Sequence, residues 1–183
     1  PRVREGGPET WERLEAFHLD LAGEDASAFA DVVHMLRTMV PGRCITPRSI
    51  FRSRRSWQML ERLNQRFERL CPLIEYVHTW RSTHIPLLRV LRARIPPARL
   101  YHTVSTGYAG ILGAVAKIDT GSPLIVMEHG IYTKEREMEI MRASWIVPSQ
   151  RQVWIRYFNA LGRIAYQFAD TIVSLFETNR SIQ

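Results

Sequence analysis

The stretch Leu100–Arg142, LYHTVSTGYAGILGAVAKIDTGSPLIVMEHGIYTKEREMEIMR, decides how the chain is to be read. Leu100–Val104 is rich in β-branched and aromatic residues and follows Pro96–Pro97, so it reads as a short strand. From Gly107 the period turns helical, with Tyr108, Ile111, Leu112, Val115 and Ile118 on one stripe. Gly110, Gly113 and Ala114 stand among them, small enough for the helix backbone to lie close on a sheet. A Gly121–Ser122 turn follows. Pro123–Met127 is then an apolar run too short for a helix and suited to a strand buried on both faces. Strand, helix and strand within about 30 residues make one βαβ unit. The second strand runs out in Glu128, His129 and Gly130. Ligands of open parallel sheets gather outside the carboxyl ends of the strands, so the chemistry is expected there.

Upstream, residues 1–8 carry Gly and Pro and read as a frayed end. Trp11, Leu14, His18 and Leu21 form a first amphipathic stripe, interrupted at Gly23. Phe29, Val32, Val33, Leu36 and Val40 form a second, closed by Pro41–Gly42. An Arg-rich, loop-like stretch reaches to about Ser53. A third stripe runs Trp57, Leu60, Leu63, Phe67 and Leu70, with Cys71–Pro72 as a break. A fourth runs Leu73, Val77, Trp80, His84, Leu87, Leu88 and Leu91, with Pro86 inside it predicting a kink or two shorter helices.

Downstream of the βαβ unit, Thr133 is placed to cap a helix whose first turn carries Glu135 and Glu137, the favoured sign at that end. Ser149–Gln152 is a capping-box pattern opening a helix with Trp154, Tyr157, Phe158, Leu161, Ile164, Ala165 and Phe168 on one face. Thr171–Val173 reads as a third strand, and Ser174–Glu177 as another capping box. The expected fold is α/β, a partial Rossmann-like parallel sheet over residues 99–183 with helices over residues 1–98 covering it. Three short strands are few for such a sheet. Either more precede Pro1, or some helical readings are wrong.

The length of 183 residues suits one domain, and no apolar run approaches the ~20 residues that cross a bilayer. The first residue is not Met and the chain ends in a nascent helix, so a piece of a longer protein is expected. Cys44 and Cys71 are isolated and read as free thiols of a cytosolic protein. The net charge of +7 suggests an anionic partner, with the densest cluster at Arg43, Arg48, Arg52, Arg54 and Arg55. Only Lys117 and Lys134 among the basic residues are not arginine, a pattern of codon bias rather than of a designed patch. No aromatic interleaving or nucleic-acid motif accompanies the cluster, so a solvated surface, or else a membrane-surface or anionic-substrate contact, is favoured over nucleic acid.

His129 is the sharpest candidate for chemistry. It follows a buried strand and precedes a glycine that lets backbone turn close to a ligand. It suits hydrogen bonding to a substrate hydroxyl, or acid–base work near neutral pH. The bland alternative is a histidine tied to neighbouring loops. Successive strand residues point to opposite faces, so Glu128 and His129 are not expected to form a dyad. Glu128 is expected to pair with an arginine or bind backbone amides. Ser105, Thr106, Gly107 and Tyr108 join strand to helix at the same edge, where N–H groups could hold an anion or sugar hydroxyls. That run is neither GxGxxG nor GxxxxGK[ST], and its alternative is a tight turn. Tyr132, Thr133, Glu135 and Arg136 follow at the mouth of the cleft. His78 and His84 fall on different helix faces, and His18, His34 and His102 have no ligand-like company. No metal site is expected. Nor does a GxSxG elbow or Cys–His arrangement stand out.

Taken together, YHTVSTGYAG, EHGIYTKERE, AYQFADTIVSLFETNR and the upstream HTWRSTHIPLL resemble the retaining glycosyltransferases of family 4 that include the Pel exopolysaccharide enzymes. The resemblance is strong over Val77–Gln183 and weaker before it; Met127 departs from the threonine expected before Glu-His-Gly. It implies a GT-B architecture, two Rossmann-like domains facing across a cleft, with this chain as the acceptor-side domain. His129 would then reach towards the donor sugar. Thr106, Gly107, Tyr108, Glu128, Gly130, Tyr132 and Arg136 would line the substrate site. A nucleotide sugar and a glycan acceptor are the implied partners, with no cofactor and no metal. The family's first strand and glycine loop, and the C-terminal donor domain with its paired glutamates, would lie outside these residues. A bacterial cytoplasmic enzyme, peripheral at the inner membrane within a polysaccharide-synthesis complex, is the expected setting. The rival readings are a non-catalytic interaction module docking on such a complex and an unrelated Rossmann-like epimerase or reductase. The missing dinucleotide fingerprint counts against the last.

Overall fold

The computed structural model describes residues 7–22, 26–38 and 47–180. Expectations for residues 1–6 of the frayed end, Gly23, Val40, Pro41–Gly42, Arg43 and Cys44 lie outside the described residues, while Pro8, read as part of that end, already opens a helix. The chain divides into two compact units, Pro1–Arg92 and Ala93–Gln183.

The first unit has helices and no strand among its described residues: α1 Pro8–Ala22, α2 Ser27–Thr38, α3 Pro47–Arg52, α4 Arg54–Phe67 and α5 Leu73–Leu91. The stripes on α1 and α2 turn inward as their spacing requires, burying Trp11, Leu14, Phe29, Val32, Val33 and Leu36. The Arg-rich stretch differs from its loop reading. Arg52 ends α3, while Arg54 and Arg55 open α4, because Ser53 caps that helix by accepting the N–H of Ser56 at 2.9 Å. The third stripe is rotated. Met59, Leu60 and Leu63 are buried, whereas Trp57 is 42 % exposed and Leu70, beyond the helix end, 94 %. Asn64 closes α4 by donating to the carbonyls of Glu68 and Cys71. Cys71 is free and buried, and burial pushes its thiol up to about 11.

α5 is one continuous helix through Pro86, so the expected division into two helices does not occur. An interior proline costs about 3 kcal/mol. Leu87, Leu88 and Leu91, all buried immediately after it, return roughly 2 kcal/mol each, which outweighs that penalty.

The second unit carries the sheet. β1 Tyr101–Thr103, β2 Leu124–Glu128 and β3 Thr171–Ser174 pair in parallel in the order β1-β2-β3. Between them run α6 Gly107–Thr120, α7 Tyr132–Arg142 and α8 Pro148–Phe168, and α9 Glu177–Arg180 follows β3. The coarse expectation, a small parallel α/β sheet in the second half of the chain and helices in the first, is met. α6 and α8, both from this unit, pack on each other and on β2. The small residues of α6 allow that approach. A methyl group on Gly110 would lie 2.5 Å from Cβ of Ala165 in α8, and one on Gly113 would lie 2.7 Å from Leu124 of β2. Gly121 ends α6 in the left-handed conformation at φ 71°, donating its N–H to Lys117 O at 2.8 Å. Asp170 ties β2 to β3. Its backbone N–H donates to Leu124 O, Oδ2 accepts the Leu124 N–H, and Oδ1 accepts Lys117 Nζ at 2.7 Å.

Three expected caps are corrected. α7 begins at Tyr132 after Ile131, so Thr133 sits inside its first turn. α8 begins at Pro148, whose fixed φ suits the first helical position and leaves Ser149 inside the helix. Ser174 belongs to β3, its hydroxyl donates to Phe176 O, and α9 starts only at Glu177.

Candidate functional site

Because all three strands run parallel, their carboxyl ends share one edge. Strand alternation sorts β2. Leu124, Val126 and Glu128 are buried and Ile125 and Met127 half-buried, with Glu128 turned towards Tyr166 of α8. His129 is the next residue and is exposed. Its imidazole has no hydrogen-bond partner among the described residues, unlike the loop-tied alternative.

Glu128 is only 1 % exposed. Oε1 accepts both the N–H of Thr106 at 3.3 Å and its hydroxyl at 2.8 Å, while Oε2 accepts the Tyr166 hydroxyl in a short hydrogen bond. The backbone-amide reading of Glu128 fits this geometry, and two hydroxyls join it. With its Oγ given to Glu128, Thr106 precedes α6 without capping it. Gly107 opens α6 at φ 66°, a conformation that favours glycine. The Tyr132 ring lies directly over it, and an added Cβ would meet that ring at 2.5 Å. The space beside Gly130 is taken by the carboxylate of Glu135.

The aromatic rings form one cluster. Tyr157 donates its hydroxyl to that of Tyr108 at 3.2 Å, and the Phe158 ring stands edge-on to Tyr108 and to Tyr132. The guanidinium of Arg136 lies 5.4 Å from the centre of the Tyr132 ring and also pairs with Glu139. Burial raises the phenol pKa of Tyr108, Tyr132 and Tyr157, most strongly for Tyr157. These hydroxyls therefore stay protonated at neutral pH and serve as hydrogen-bond donors rather than bases. Thr106, Gly107, Tyr108, Glu128, His129, Gly130, Tyr132 and Arg136 thus gather at one end of the second unit. Glu128 faces inward and His129 outward.

Sequence reading missed a second polar cluster, in the first unit. His18 and His84, expected to stand apart, meet with their Nε2 atoms 3.1 Å apart. His18 donates Nδ1–H to Leu14 O at 2.5 Å, which leaves Nε2 to accept the indole N–H of Trp80 at 2.9 Å. Nδ1 of His84 lies 2.9 Å from both Trp80 O and the Thr83 hydroxyl. The three rings stack, with Trp80 and His84 centroids 4.3 Å apart. Both imidazoles border a small apolar cavity lined by Leu14, Met59, Leu87 and Leu91. The available signal was their position on the apolar stripes of α1 and α5, where a histidine needs a buried partner. Among the described residues, no group of three or more His, Cys, Asp or Glu side chains is placed to hold a metal ion.

Fold and site together define a mostly helical α/β protein with a small parallel sheet and a polar cluster at its carboxyl edge. No helix among the described residues is long and apolar enough to cross a membrane. Over residues 1–183 the chain matches the family described as a domain of unknown function, DUF3492, and it belongs to that family. No curated protein and no solved structure matches it.

Proposed function

We propose that this chain is the acceptor-side domain of a retaining glycosyltransferase of GT-B type. In this reading it transfers a sugar from a nucleotide-sugar donor to a growing exopolysaccharide at the cytoplasmic face of the membrane. The observation that carries it is His129: exposed, without a protein partner among the described residues, and set on the strand edge beside the start of α6. The resemblance of the EHGIYTKERE and TGYAG runs to that enzyme group supports the same assignment. The acceptor hydroxyl attacks the anomeric carbon on the face the nucleotide leaves, through an oxocarbenium-like state; the bond to the departing diphosphate breaks and its oxygen takes up the hydroxyl proton. His129 orients the sugar by hydrogen bonding to its hydroxyls, and the protonated phenols of Tyr108 and Tyr132 offer further donors. Groups of the opposite domain hold the departing diphosphate, so no cofactor is needed.

The test is to incubate the full-length gene product with a panel of nucleotide sugars and oligosaccharide acceptors, then read the new anomeric configuration by NMR. A product with retained configuration is expected, and none from residues 1–183 alone. Inversion rejects the mechanism, and transfer by the isolated chain rejects the two-domain reading. A second reading, a non-catalytic docking module, draws on Met138, Met141 and Trp145, which are 51, 49 and 75 % exposed. It expects partner capture that is indifferent to substitution of His129.

A further inference from the structure

We infer that Glu128 is a positioning residue that acts through Thr106 and does not itself touch substrate, an inference that rests on the glycosyltransferase reading for its catalytic consequence. Its carboxylate joins three pieces of chain that the strand edge must hold in register: the end of β2, the loop before α6 and the last turn of the second unit's longest helix, α8. It accepts two hydrogen bonds from Thr106 and one from Tyr166, and is 1 % exposed. A substrate hydroxyl reaching Glu128 would have to displace one of these donors inside a packed core.

Two features of the edge depend on this clamp. Thr106 is followed directly by Gly107, whose positive φ turns the backbone into α6 beneath the Tyr132 ring. Holding Thr106 by both its N–H and its hydroxyl fixes where that turn begins, at the cost of the cap its side chain would otherwise give α6. His129 is the second feature. While Glu128 is held on the helix-covered face, alternation along the chain turns the next side chain to the opposite, exposed side. The carboxylate thereby sets the direction of the imidazole one residue away.

The consequence is a coupling that direct substrate contact would not produce. If Glu128 works through Thr106, Thr106→Val and Glu128→Gln remove the same restraint, and the double variant is no worse than the more damaging single one. If Glu128 binds substrate itself, the two losses add. In the full-length enzyme each single substitution is expected to lower kcat on the order of tenfold or more, with donor KM little changed, through misplacement of the edge. Additive losses, or a donor KM that rises while kcat holds, overturn the inference. Amide hydrogen exchange on the 183-residue protein tests the clamp without any activity. Glu128→Gln and Tyr166→Phe should each speed exchange at the Thr106 amide by roughly tenfold, the loss of about one hydrogen bond to a charged group, while the centre of α8 stays protected. Unchanged exchange at that amide overturns the inference. A full-length wild-type protein that transfers no sugar defeats the glycosyltransferase reading instead, and the exchange result still decides whether Glu128 holds the loop.

Discussion

His129→Ala in the full-length protein is expected to lower sugar transfer by a factor on the order of 10²–10³, the usual loss when one well-aimed hydrogen-bond group is removed from a reacting centre. The fold should not notice. His129 is exposed and bonds to nothing among the described residues, so truncation creates no cavity and leaves no buried partner unsatisfied. Thermal unfolding should therefore match the wild type while turnover collapses. This separates His129 from its neighbour, since removing the buried Glu128 carboxylate strands Thr106 and Tyr166 and costs stability. Turnover within a few-fold of wild type in His129→Ala would remove the imidazole from the mechanism.

Acid should destabilise the first unit well before ordinary carboxylates titrate. Burial lowers the pKa of His18 to about 4, against the opposing pull of the Leu14 carbonyl and Glu15. Burial, with His18 beside it, also drives His84 well below its usual value. In the unfolded chain both imidazoles take up protons near pH 6.5, whereas the folded pair stays neutral. The unfolded state then binds more protons, and stability falls as pH falls. The loss begins near pH 6.5 and continues towards pH 4, where His18 begins to protonate in place. For His18 alone this amounts to on the order of 3 kcal/mol over that range, with His84 adding in the same sense. Above pH 7 the pair contributes no slope. Glu15, the nearby carboxylate, is held below its usual range chiefly by its hydrogen bonds to Arg62, so its own loss comes at lower pH. Thermal melts between pH 7.5 and 5 isolate the histidines. His84→Leu should roughly halve the slope, and a wild-type melt that is flat across this window contradicts the neutral-pair account.

The parts of the molecule governed by local chemistry were legible in the sequence. The strands fall within a residue or so of their expected limits because β-branched runs bounded by proline and glycine have few alternatives. Alternation correctly separated Glu128 from His129, and the small residues of α6 announced a close approach to the sheet, met where Gly113 faces Leu124, though not the packing of Gly110 on Ala165 of α8. Legibility ended where one residue's role depends on another far away in sequence. His18 meets His84 across 66 positions, and Glu128 meets Tyr166 across 38. No local period encodes either pairing. Capping motifs misled for a related reason. Ser149 and Thr133 had the right chemistry, but α8 opens on Pro148 and α7 on Tyr132, each two residues before the start that those caps would set. The third stripe misled because helix periodicity admits two adjacent registers, and packing chose Met59 over Trp57.

The ion pair that joins α6 to Asp170 has a practical consequence for labelling. The chain holds just two lysines, Lys117 and Lys134. Lys117 is engaged with Asp170 at 2.7 Å and its side chain is 29 % exposed, whereas Lys134 stands open on the first turn of α7, five residues from His129. Of the two lysines, an amine-reactive fluorophore used sparingly will favour Lys134. The second unit thus comes with a built-in attachment point at the rim of its candidate cleft, where a dye senses whatever comes to sit beside the imidazole.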